Sequence, residues 1–142
     1  MKKLLSVILM VCLAVSMSVS VKAVTSNPFI DVSDEAWYHE DVIKAVETGI
    51  INGKTDTEFM PEDFLTYAEA VKLAACMNQV YLTGDVTLTN GEPWFKSYVD
   101  YCEKNGIITR EYNYSENATR AGYMEIFAKA LPDVAFEKIN NV

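Results

Sequence analysis

Apolar residues recur at three- and four-residue steps from Tyr38 through Val42, Ala45 and Val46, with Glu40, Lys44 and Glu47 between them. That spacing predicts an amphipathic helix. Gly49 follows where a left-handed cap is wanted, and Ile50 and Ile51 can then fold back on the last turn. The pattern returns without a gap: "WYHEDVIKAVETGII" (37–51) aligns with "WFKSYVDYCEKNGII" (94–108), placing Trp37 on Trp94, Val42 on Val99 and Gly49 on Gly106. Each copy passes through a loop and reaches a second helix start, "TYAEA" at Thr66 and "TRAGY" at Thr119, the second loop being four residues shorter. Thr66 and Glu69 have the spacing of a capping box, whereas Gly122 stands where that glutamate would be, so only the threonine cap is kept in the second copy. In the second helices, Ala70, Leu73, Ala74 and Met77 are expected to face a partner, as are Ala121, Met124, Phe127, Ala128 and Leu131. The loop "NGKTDTEFMPED" carries Gly53 and Pro61 as breakers, Phe59 as a buried plug, and room for one extended pair. A mainly α fold of tandem helix-loop-helix units follows.

The N-terminus changes what counts as mature protein. Lys2 and Lys3 precede an apolar run from Leu4 to Val15 and a serine-containing stretch ending in Val21-Lys22-Ala23. This predicts a secretory signal at 1–23, cleaved after Ala23. A membrane anchor over Leu4 to Val21 is the alternative, made weaker by Ser16, Ser18 and Ser20. Cys12 lacks the small residue before it that a lipoprotein signal would have. Cleavage leaves nine basic against twenty acidic residues, a formal charge of −11. Nucleic acid and anionic membrane are disfavoured as partners, and an anionic ligand must be captured locally. Cys76 and Cys102 lie in apolar helical stretches, so two buried free thiols are expected ahead of one disulfide. A single His and no paired Cys/His spacing predict no zinc site, and no cofactor is implied. His39 reads as a solvated helix residue, and Asp56 as a solvated turn residue rather than part of a calcium loop.

The ordered set "FIDV" (29–32), Trp37, "GIING" (49–53), Phe59, Pro61 and "TYAEA" resembles the S-layer homology repeat. Trp94, "NGII" and "TRAGY" resemble it again, with a weaker opening and loop. The resemblance divides the chain into a first repeat at 24–80, a linker at 81–91, a second repeat at 92–132 and, at 133–142, the start of a further repeat or a tail. It implies an incomplete pseudo-threefold helical bundle, since the family commonly uses three repeats, completed by self-association or by chain beyond this one. Either case predicts apolar helix faces without a partner. The implied role is non-catalytic anchoring at the bacterial surface, secreted and held to the cell wall or S-layer through secondary cell-wall polysaccharide, typically pyruvylated, or modified peptidoglycan. Surface-layer assembly without glycan contact, and an anchoring fragment of a longer wall-active enzyme, are the alternatives. Glycoside hydrolysis needs two carboxylates facing a cleft, and no catalytic-sized domain is present to hold them.

A ketal carboxylate suits the start of a short helix, where unpaired N–H groups and the dipole favour an anion. Arg120 adds a planar cation beside Thr119. The resemblance therefore points to Arg120, Thr119, Trp94, Trp37 and Tyr67 as ligand-binding. Structural roles compete: Arg120 pairing with a helix acid, the two tryptophans in the core, the threonines as caps. Tyr67 replaces the arginine of the first unit, so one competent site is expected around Arg120 and a degenerate one around Tyr67.

Overall fold

A computed structural model describes residues 26–133 and 135. The expected signal segment, and most of the stretch after Pro132, lie outside the described residues. Among the described residues the chain forms the helices α1 (His39–Glu47), α2 (Tyr67–Thr83), α3 (Lys96–Lys104) and α4 (Arg120–Ala130). Among the described residues there is no strand, only one antiparallel bridge between Thr66 and Asn117. The mainly α expectation is met.

The glycine caps form as the sequence requires. After α1 the chain turns at Gly49 (φ +74°) and Ile50 N–H reaches back to Ala45 O at 2.9 Å; after α3 it turns at Gly106 (φ +69°) and Ile107 N–H reaches Cys102 O at 2.8 Å. Both are six-to-one bonds of a left-handed cap. The capping box at α2 also forms, Thr66 Oγ1 accepting from Glu69 N–H (3.3 Å) and Glu69 Oε2 from Thr66 N–H (2.8 Å). Burial raises the Glu69 pKa, but the Lys54 ammonium at 2.6 Å and the Thr66 donors outweigh it and hold the carboxyl below its usual value.

The packing joins the units in an unexpected way. α2 packs against α3 and α4, and no other pair of helices is in contact among the described residues. The two helices of one unit therefore do not pack on each other; the second helix of unit one is the spine for both helices of unit two. Small side chains at Ala70, Ala74 and Ala75 let the neighbours approach, and Val71, Tyr98, Val99, Cys102, Ile107, Ile108, Ile126 and Ala130 complete the buried cluster. Asn78 ties all three helices, accepting from Tyr101 Oη (2.7 Å) and donating to Ala130 O (2.8 Å). The linker is pinned along α2, because Gln79 Oε1 accepts from the N–H groups of Thr87 and Leu88.

The expected apolar stripe of α4 is corrected. Gly122, Ile126 and Ala130 face the core, while Ala121, Met124 and Ala128 are exposed and Phe127 and Leu131 are half-buried. Two apolar rows share this short helix, and the one with the smaller residues wins because it allows the closer approach to α2. On α2, Ala70 and Ala74 are buried as expected, Leu73 and Met77 only half so.

α1 belongs to a separate cluster of Phe29, Val32 and Val42 with Tyr38, Val46 and Phe59 around it. Here the "FIDV" opening has a physical role. The Asp31 carboxylate accepts from Phe59 N–H (2.9 Å) and Met60 N–H (2.7 Å), bonds that hold its pKa low, and so clamps the distant loop. Phe29 lies on Gly53, whose Cβ, if added, would collide with the ring edge at Cε1 and Cζ. His39 departs from expectation: it is half-buried beside Asp34, 3.6 Å away.

Cys76 and Cys102 are both free and buried, matching the expected thiols. Burial, then the neighbouring Cys76, pushes the Cys102 pKa up to about 12, from 9.0, and burial raises Cys76 as well. The folded chain holds these protons more tightly than the unfolded one. Stability is therefore expected to fall as pH rises from about 9 to about 12. At neutral pH Cys102 carries about a thousandfold less thiolate than a free thiol. A disulfide-exchange thiol reagent should label neither cysteine rapidly in the native chain and both promptly in denaturant; fast native labelling would contradict the burial.

Candidate functional site

The two second-helix starts meet. Thr66 pairs with Asn117 across the bridge, and Tyr67 Oη lies 3.3 Å from Thr119 Oγ1. Tyr67 rests on Gly122, where an added Cβ would come within 2.7 Å of the ring. The two departures from the repeat pattern thus fit one another, the tyrosine of unit one filling the space that the missing glutamate of unit two leaves. The Tyr112 ring lies against Tyr67, 4.8 Å between centroids and tilted by 32°, and the Arg110 guanidinium caps Tyr112 at 4.3 Å.

The helix starts differ in what they leave open. At α2 every first-turn donor is used: Tyr67 N–H bonds Glu116 O (3.0 Å), Ala68 N–H bonds Tyr114 O (3.0 Å), Glu69 N–H bonds Thr66 Oγ1 and Ala70 N–H bonds Thr66 O. The backbone donors of that terminus are therefore occupied, whatever side chain stands at position 67. At α4, Gly122 N–H bonds Thr119 Oγ1 (3.1 Å) and Tyr123 N–H bonds Thr119 O, but the N–H groups of Arg120 and Ala121 have no partner among the described residues. The Arg120 side chain is exposed and makes no ion pair there either. Glu125, the acid on α4, accepts from Arg110 at 2.9 Å, with Lys129 at 3.6 Å. The Arg110 hydrogen bond, ahead of the Lys129 charge, holds the Glu125 carboxyl below its usual value.

Arg120, Thr119 and Tyr67 therefore come together at one junction. Trp94 does not touch it; its ring meets Phe95 and Tyr98 edge-on, and Phe95 leads through Tyr114 and Tyr112 to Tyr67. Trp37 stands apart beside Tyr38. At 89% exposure it is not a core residue, which corrects the packing role weighed for it; Trp94, at 39%, is partly covered. Arg110 and Tyr112 are the residues that sequence reasoning passed over. They lie in the shortened loop, outside every repeat motif, and the only signal was a cation two positions before an aromatic.

Two clefts open elsewhere. One, of about 190 Å³, lies between the first loop and α2, lined among others by Ile50, Ile51, Phe64, Leu73 and the Lys54–Glu69 pair. The other, of about 340 Å³, is lined by Met77, Met124, Phe127, Ala128 and Asp133. Among the described residues no group of three His, Cys, Asp or Glu could hold a metal, and no helix is long and apolar enough to cross a membrane.

Comparison with known proteins supplies the family. Residues 28–71 match the family model of the S-layer homology domain. The chain is 31% identical over 126 residues to the Surface-layer 125 kDa protein of Lysinibacillus sphaericus, an alignment covering 80% of this chain and 11% of that protein. No solved structure matches.

Proposed function

We propose, for a chain that belongs to the S-layer homology family, a non-catalytic anchor that holds the bacterial cell wall through an anionic group of a secondary wall polysaccharide, a pyruvyl ketal carboxylate being the type that fits. A cell-surface anchoring or S-layer role rests on the family match at 28–71 and on the likeness to the surface-layer protein. The glycan reading rests on one observation: among the described residues Arg120 is an exposed cation without a partner, at a helix start whose first two N–H groups are open, while the corresponding start at α2 is closed. A guanidinium and two backbone donors around one carboxylate form charge-assisted bonds that water competes with poorly. Thr119 positions the turn, Tyr67 closes one side, and Trp94 and Trp37 are available as sugar-facing rings only where their exposed faces lie.

The processed chain should co-sediment with purified wall sacculi, and chemical removal of the secondary polymer should abolish most of that binding. Binding that survives removal would sink the polysaccharide reading and leave modified peptidoglycan; absence of binding throughout would favour surface assembly without glycan.

A further inference from the structure

The two clefts are lined by residues that the repeat alignment places on the two sides of a junction the chain already contains once. Inside the chain, the second helix of unit one receives unit two: Val71 and Ala75 of α2 are fully buried, and Ile107, Ile108 and Ile126 of unit two are 0–3% exposed at the same junction. By the alignment of the repeats, Met124 and Ala128 hold on α4 the places of Val71 and Ala75, yet Met124 is 54% exposed and Ala128 is exposed too. Likewise Ile50, Ile51 and Leu73 hold the places of Ile107, Ile108 and Ile126, yet they are half-buried and line the first cleft. Among the described residues α4 thus offers an unfilled receiving face and unit one an unfilled inserting face. The loop agrees: Phe64, aligned with the bridge residue Asn117, is 77% exposed.

We infer that a second copy of this chain docks head to tail, its first unit on α4 of the first copy, by repeating the α2 junction. Charge favours this occupant. Within the chain the first residue of α2, Tyr67, sits on Gly122 of the next unit. Repeated between copies, the first residue of α4, Arg120, comes to Glu69, whose carboxylate is held ionised by Lys54. Each start residue then meets its complement, tyrosine on glycine and arginine on glutamate. The Arg120 and Ala121 donors would take the carbonyls of the docked loop as Tyr67 and Ala68 take those of Glu116 and Tyr114. A contact of this kind joins two different surfaces, so it closes into a ring or extends. It also covers the α4 start proposed above for the ligand, so the two readings are tested separately: sedimentation reads docking and wall binding reads the anion.

The test uses the processed chain at about 0.15 M salt or above, where the repulsion of a −11 surface is screened. Sedimentation velocity should show concentration-dependent association. Met124→Lys, on the receiving face, and Phe64→Glu, on the inserting face, should each weaken it by at least tenfold, with helix content by circular dichroism unchanged because both side chains are exposed in the single copy. An equimolar mixture of the two variants should recover a one-to-one dimer, since each retains the face the other lacks. A monomer at millimolar concentration overturns the inference and assigns the faces to another repeat unit. Association that persists in both variants, or a mixture that does not recover, also overturns it.

Discussion

Arg120→Ala is expected to lower wall affinity about 10- to 100-fold, the equivalent of about 1.5–3 kcal/mol for a charged hydrogen-bonded contact, while the melting temperature barely moves. The second half of that expectation comes from the absence of any ion pair or hydrogen bond to the Arg120 side chain among the described residues. Truncating it removes exposed side chain from the first helical position, where surface changes cost within about 0.5 kcal/mol. Arg120→Lys should recover only part of the loss, because an ammonium is a point charge without the planar fork. Titration of processed chain with wall polymer, beside a thermal melt, reads both quantities. Full affinity in the alanine variant would remove Arg120 from the site; a large fall in melting temperature with affinity kept would make it structural.

The second large effect is at Gly122. Alanine for glycine inside a helix ordinarily stabilises by about 1 kcal/mol. Here the new Cβ would lie 2.7 Å from Tyr67 Cε1, and the ring cannot swing freely because Tyr112 packs against it. Overpacking of that kind costs about 1–3 kcal/mol, so Gly122→Ala should lose the usual gain and destabilise by up to about 2 kcal/mol net. In a Tyr67→Ala background the obstacle is gone and the same substitution should stabilise by up to about 1 kcal/mol. The change of sign, measured by denaturant unfolding of the four chains, is the signature of direct contact. If Gly122→Ala stabilises the chain with Tyr67 in place, the ring does not rest on the glycine.

Local chemistry was legible in the sequence. The glycine caps and the Thr66–Glu69 box are each decided by residues three to five apart, and they appear where the pattern put them. Partner choice was not legible. Periodicity marks which positions are apolar and says nothing of which helix covers them, so the pairing of α2 with the following unit, and the inward row Gly122, Ile126, Ala130, had to come from packing. Asp31 shows the same limit: its motif was visible, but its work is done on N–H groups 28 and 29 residues away. At the candidate site, the repeat pointed to Arg120, Thr119 and Tyr67, whose proximity the fold supplies, whereas the closure of the α2 start by Glu116 and Tyr114 carbonyls depends on a loop with no pattern of its own.

Because the helices of one unit do not pack together, the segment that was duplicated and the segment that folds are out of phase. The repeated piece is a helix, a loop and a helix; the larger buried cluster runs from α2 through the linker and α3 to α4. Severing the chain between Thr83 and Lys96 would not release two small independent modules, since it separates α2 from both helices that cover it. A gene that gains or loses a repeat must therefore do so at the frame of the interface if the shortened protein is to keep a core.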